Sequence, residues 1–147
     1  SSAASDVYKR QPIASDLIRR GTADLVVSLE PMEALRYVPF LSKKGWIVTN
    51  TVPFLNIEKY PEMETVMADL ERHGNVVAFD VDTVAKEVAS PRTSNMVLLG
   101  AASPFIELDA DAIERAIATV FGPKGDAIVE MNVKAFRAGR ERALAKK

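Results

Sequence analysis

Asp80 and Asp82, the lone His73 and the polar run Arg92, Thr93, Ser94, Asn95 are the residues whose types and spacing could support chemistry in this chain. A D-x-D pair can hold a divalent cation. Alternate residues at a strand end point to opposite faces, however, and Asp82 is placed to cap a following helix, so metal binding is the minor reading. His73 closes a helical stretch, where a cation suits the dipole, and reads as a surface residue rather than an acid or base. Gly122, Pro123, Lys124 and Gly125 contain too few glycines for a phosphate loop and lie between two helical patterns, so they read as a turn.

The segment SPRTSNMVLLGAA, residues 90–102, is the most specific of these features. Thr93 or Ser94 can cap a helix, Asn95 falls in its first turn, and Met96 to Ala102 are apolar all round, as in a helix buried on every side. Gly100 would permit close packing within it. Capping alone accounts for the polar residues. The same free N–H groups, with Arg92, could also meet an anionic or carbonyl group of a ligand or a neighbouring subunit. Arg92, Ser94 and Asn95 are therefore candidate ligand or interface residues, and Asn50 and Phe54 join them. Phe54 stands with Leu55 and Tyr60 in the irregular loop TVPFLNIEKYP, which has more apolar side chains than it can bury by itself.

The elements that must position these residues show in the changing apolar period. Asp24 to Glu30 (DLVVSLE) is a continuous β-branched run, as in a buried strand of a parallel sheet, and Met32, Leu35 and Val38 follow at helical spacing. Pro31 suits the first turn of that helix, Pro39 ends or kinks it, and Lys43, Lys44 and Gly45 form the turn out. Trp46 to Thr51 is a second strand. Met63, Val66, Met67 and Leu70 mark a second helix that stops at His73 and Gly74, and Asn75 to Phe79 is a third strand. A short helix through Val84, Ala85 and Val88 comes next. Beyond residue 90 only helical patterns occur, one opened by Asp109 or Asp111 and carrying Ile113, Ala116, Ile117 and Val120, and a last one from about Asp126 to the end. This order implies an α/β fold: a three-layer α/β/α arrangement with a mostly parallel sheet and a helical C-terminal part.

Composition narrows the function classes. The 147 residues are one domain's worth, with 48% hydrophobic and 27% charged residues, as in an ordinary globular protein. With 19 basic against 20 acidic residues, no global field would gather nucleic acid or an anionic membrane. The absence of cysteine excludes thiolate chemistry and cysteine-held zinc or iron–sulfur clusters in this chain, and with a single histidine there is no multi-histidine metal site. No apolar run approaches the roughly 20 residues of a membrane span, and the start shows no signal pattern, so a cytoplasmic setting is expected. The five arginines and lysines Arg137, Arg140, Arg142, Lys146 and Lys147 suit a helix C-terminus facing water.

Residues 23–51 (ADLVVSLEPMEALRYVPFLSKKGWIVTNT), 79–101 (FDVDTVAKEVASPRTSNMVLLGA) and 131–141 (MNVKAFRAGRE) resemble the gamma-type domain of 2-oxoacid:ferredoxin oxidoreductases. The nearest branch is the beta subunit of the indolepyruvate type. The resemblance runs from residue 12 to about residue 143, and its most specific element is R-x-S-N-M-x-L-L-G. It implies a subunit that works beside a larger catalytic, alpha-type subunit in the oxidative decarboxylation of a 2-oxoacid to an acyl-coenzyme A, with ferredoxin reduced. Thiamine diphosphate, iron–sulfur clusters and coenzyme A are implied in the assembled enzyme, none of them held by this chain alone. A non-catalytic α/β domain that only scaffolds an assembly is the alternative.

Departures from the family pattern matter as well. Such domains begin with a strand, a G-x-G-G-Q-G turn and an R-G-G region, and none of these occurs here. Ser1 to Gln11 (SSAASDVYKRQ) has no likeness to the family and reads as a foreign tail. Residues 12–147 are thus expected to be the C-terminal part of one domain whose first strand–helix unit is missing.

Overall fold

In the computed structural model, which describes residues 17–54 and 58–147, the sheet consists of β1 (Ala23–Ser28), β2 (Leu41–Asn50) and β3 (Val76–Phe79) in the order β1-β2-β3, all parallel. Ser1 to Gln11, and Leu55 and Asn56 of the loop, lie outside the described residues. Helix α1 (Pro31–Tyr37) connects β1 to β2, and α2 (Met63–Glu71) connects β2 to β3. Then follow α3 (Val81–Val88), α4 (Ser94–Ala102), α5 (Ala110–Phe121) and the 19-residue α6 (Asp126–Leu144).

Strand residues alternate between faces, and the two faces acquire separate cores. Val26, Ile47 and Val76 pack with Ala34 of α1 and Val66 and Leu70 of α2. On the opposite face Val48 and Val77 pack with Val84 and Ala85 of α3, Val97, Leu98 and Ala101 of α4, and Ala135 and Ala143 of α6. The result is the three-layer α/β/α arrangement. Helix α5 lies outside these layers, its Ile113 and Ile117 meeting Phe136 of α6. The tightest contact is between α4 and α6. A Cβ on Gly100 would stand 1.9 Å from the Phe136 carbonyl oxygen, and one on Gly139 would stand 1.8 Å from that of Val97.

Several local expectations are corrected. The β1 run is not a buried strand: β1 is an edge strand among the described residues, and Val27 is 44% exposed because no helix covers it there. Lys43, Lys44 and Gly45 are not a turn but part of β2, because a 3-10 turn at Val38–Phe40 has already reversed the chain. The cap of α3 is Asp80, whose side chain accepts from the Thr83 N–H at 2.9 Å, and Asp82 lies inside the first turn. Neither Thr93 nor Ser94 caps α4 with its side chain, because each hydroxyl is bonded elsewhere. His73 is half-buried, and its Nε2 lies 3.1 Å from the Gly45 carbonyl oxygen. No described helix is long and apolar enough to cross a membrane.

Candidate functional site at the carboxyl ends of the strands

Ligands of open parallel sheets bind beyond the carboxyl ends of the strands, and here that end is tied together by side chains. Asn50 terminates β2 and is 3% exposed. Its Oδ1 accepts from the N–H of Val81 at 3.0 Å and of Val52 at 3.3 Å, and its Nδ2 donates to Asp82 Oδ2 at 3.2 Å. Ser94 Oγ donates to the other Asp82 oxygen at 2.7 Å. A single carboxylate thus links the end of β2, the first turn of α3 and the start of α4, where both helix dipoles favour negative charge.

The approach to α4 is shaped by a 3-10 turn, Pro91–Thr93. Ser90 Oγ accepts from the Arg92 N–H at 3.2 Å, and the buried Thr93 donates its hydroxyl proton to the Ser90 carbonyl at 2.7 Å. This turn leaves the Arg92 and Asn95 side chains exposed at the surface. Asn95 Oδ1 accepts from the Met96 N–H at 3.0 Å, which leaves its amide protons outward. Beside the turn, Asp82, Thr83, Lys86 and Pro91 line a recess of about 280 Å3. The carboxyl of Asp80, the cap of α3, is held below the usual range, first by the Thr83 N–H and then by the Thr83 hydroxyl, so it is an anion at neutral pH.

A second tie lies at the end of β1. Glu30 is 1% exposed; one of its carboxylate oxygens caps α1 through the Glu33 N–H at 2.9 Å, and the other accepts the Tyr60 hydroxyl proton. Burial, together with the hydrogen bond and the charge of Glu30, raises the Tyr60 pKa above its ordinary value. Tyr60 is therefore anchored inward and drops out as an interface residue, whereas Phe54 in the same loop is 51% exposed.

The expected residues thus divide by environment. Asn50 and Ser94 are brought together through Asp82 and are occupied internally; Arg92, Asn95 and Phe54 remain outward. Chemically, the exposed cations Arg92, on the turn, and Lys86, in the recess lining, offer donors to an anionic or carbonyl-rich ligand, opposed by the Asp82 carboxylate in the same lining. Among the described residues this end brings no imidazole or amine to Ser94, whose hydroxyl lies against the Asp82 carboxylate and the Pro91 carbonyl. Sequence reasoning missed Asp82 as the hub and the Glu30–Tyr60 pair. The D-x-D spacing and the glutamate just before Pro31 were the available signals, but neither indicates a partner about 30 residues away.

The family described as pyruvate ferredoxin/flavodoxin oxidoreductase matches residues 2–142. The chain is 34% identical over 133 residues to indolepyruvate oxidoreductase subunit IorB of Pyrococcus horikoshii, covering 84% of this chain and 64% of the relative. It is 31% identical over 136 residues to the subunit of that name from Methanothermobacter thermautotrophicus, covering 86% and 68%. The chain thus spans about two thirds of the length of these curated relatives. Its fold is similar to part of a solved 2-oxoglutarate:ferredoxin oxidoreductase from Magnetococcus marinus with 2-oxoglutarate, coenzyme A and succinyl-CoA bound. The TM-score is 0.61 at 22% identity, covering 91% of this chain and 22% of the other.

Proposed function

The chain belongs to the pyruvate ferredoxin/flavodoxin oxidoreductase family, and from that premise we propose that it is an IorB-like subunit of an indolepyruvate-type 2-oxoacid:ferredoxin oxidoreductase acting in the cytoplasm. The reaction breaks the bond between the carboxylate and the oxo carbon of an aryl-pyruvate, releases carbon dioxide and joins the acyl carbon to the sulfur of coenzyme A. The electron pair set free goes to ferredoxin, and the thiol proton is released. The family match along residues 2–142 is the observation that carries this reading.

The donor set bears on which groups this chain could hold. Iron–sulfur clusters do not fit it, because they require thiolate ligands and the chain has no cysteine. No group of three His, Asp or Glu side chains suited to a metal occurs among the described residues. Coenzyme A is different, since Lys86 and Thr83 line a recess beside the turn that exposes Arg92, and together they offer cationic and hydroxyl donors to a phosphate. In this reading the carboxyl edge lines the coenzyme A or substrate route, while the alpha-type subunit carries the chemistry.

The purified chain is expected to show no 2-oxoacid-dependent dye reduction. The full-length protein mixed with its catalytic subunit is expected to restore it, and turnover by the isolated chain would defeat the assignment. A scaffold without a part in the reaction is the second reading, favoured by the internal use of Asn50, Asp82 and Ser94. Arg92→Ala with Asn95→Ala separates the two. Activity of the assembled enzyme should drop about tenfold or more with little change in Tm if the edge meets a ligand, since one charged hydrogen bond is worth about 1.5–3 kcal/mol. Unchanged activity would favour the scaffold.

A further inference from the structure

The amino-terminal end of the sheet, opposite the site above, carries a second feature. The pairing of β1 with β2 jumps from Ala23 with Leu41 to Leu25 with Trp46, so residues 42–45 of β2 face Asp24 alone. This irregularity lifts Lys43 and Lys44 out of the ladder, and both are exposed. Its shape is fixed from three sides. Asn75 Nδ2 donates to the Lys44 carbonyl at 3.4 Å, the His73 ring holds the Gly45 carbonyl at 3.1 Å, and a Cβ on Gly45 would stand 2.5 Å from the Leu41 side chain and 2.9 Å from the Ala23 oxygen. Only glycine lets the protrusion close down this far.

More positive charge is gathered beside it. Arg19 and Arg20, both exposed, enter β1 through a turn whose Gly21 N–H donates to the Pro39 carbonyl at 3.1 Å, and the Arg20 guanidinium lies 5.8 Å from the centre of the Phe40 ring. On α2, which leads back to this end of the sheet, Asp69 pairs with Arg72. Asp24, opposite the irregularity, and Glu71, at the end of α2, form no ion pair among the described residues, so they leave the four cations Arg19, Arg20, Lys43 and Lys44 in excess. The whole chain has a net charge of -1, so this excess is local and not a reflection of composition.

We propose that this rim is a docking surface for an acidic patch on another polypeptide of the assembled enzyme, with Lys43 and Lys44 at its centre. The inference rests on the subunit reading above and adds to it which surface meets a partner and what charge that partner presents. Exposed charges of this kind act mainly on encounter rate and salt dependence. The test mixes the full-length protein with its catalytic subunit and follows association at low and high salt. Lys43→Glu with Lys44→Glu should slow association by about tenfold or more at low ionic strength, and the difference should shrink at about 0.5 M salt. The neutral pair Lys43→Gln with Lys44→Gln should fall between, and Lys134→Glu on α6 should behave as wild type. A zero-length amine–carboxyl cross-linker applied to the complex should join Lys43 or Lys44 to an aspartate or glutamate of the other polypeptide. A complex that forms at the wild-type rate with the reversed lysines, or whose lysines link only within their own chain, overturns this inference and leaves the subunit reading standing. If the wild-type protein forms no complex at all, the subunit reading falls and this inference with it.

Discussion

Asn50 shows how much a single polar side chain can hold together when it is buried. Truncation to alanine would strip partners from the N–H groups of Val81 and Val52 and from one Asp82 oxygen at once. An unsatisfied buried group costs about 1–3 kcal/mol, so Asn50→Ala should lower the unfolding free energy by at least about 2 kcal/mol in urea titration. Ser94→Ala, nearer the surface, should cost less than about 1 kcal/mol. Equal losses at the two positions would mean that the hub is not Asn50. Tyr60 gives a pH-dependent counterpart. Its proton is held more tightly in the folded chain than in the unfolded one, where the ordinary value of 10.0 applies. The stabilisation is therefore complete below about pH 10 and is lost as the pH rises towards the higher folded value. Urea midpoints should fall across the alkaline range in the wild type. Tyr60→Phe should remove that part of the slope and should also be less stable near neutrality, because the buried Glu30 carboxylate loses a donor. An unaltered alkaline slope would show that this tyrosine does not titrate as described.

At the scale of elements, the contact between α4 and α6 depends on two glycines that fit each other's backbones reciprocally. Because the clashing atoms are backbone oxygens, no side chain can turn away to make room. Gly100→Ala and Gly139→Ala should each cost about 1–3 kcal/mol or more, and a bulkier leucine at position 100 should cost further. Gly122 provides the contrast, because its φ of -50 is ordinary for a helix and, its own chain neighbours apart, nothing lies within 4 Å of the place a methyl group would take. Gly122→Ala should change stability by less than about 1 kcal/mol, because the reduced chain entropy of the unfolded state is offset by crowding from the ring of Pro123. Thermal melts of these variants decide the matter, and a Gly100→Ala protein as stable as the parent would contradict the close crossing.

At the scale of the whole molecule, the sheet is covered unevenly. Leu17, Ile18, Ala23, Leu25, Val26, Val27, Tyr37 and Phe40 line an open cleft of about 600 Å3 along the outer edge of β1, where Val27 and Leu29 are each 44% exposed. Parallel strands are normally covered on both faces, and an apolar edge of this kind invites association. Residues 12–147 expressed alone should therefore bind a hydrophobic dye strongly while keeping near-native helix content. Val27→Thr with Leu29→Ser should weaken the signal. An N-terminal extension of about 50 residues patterned on the family, the length of a βαβ start, should abolish it. A dye-negative, monomeric protein with a cooperative melt would show that this edge needs no cover.

The element order follows from periodicity and punctuation, which act over a few residues: Met63, Val66, Met67 and Leu70 can form one stripe only as a helix, and Gly74 and Gly125, at φ of 91 and 104, end their segments whatever surrounds them. Residue types also identify the family, through the run from Arg92 to Gly100, and they mark Arg92, Asn95 and Phe54, which the fold leaves at the surface. Which polar residues are spent internally depends on long-range packing. Asp82 meets Asn50 across 32 positions and Ser94 across 12, and Glu30 meets Tyr60 across 30, distances over which no local pattern carries information. The same holds for Lys43 and Lys44. Their residue types suggest a turn, and it is the irregular register of β2 against β1, which gives residues 42–45 no partners of their own within the strand, that turns them outward. Local propensity sets what a segment becomes, while the hydrogen bonds and close approaches that assign a side chain its role form only once distant segments are packed together.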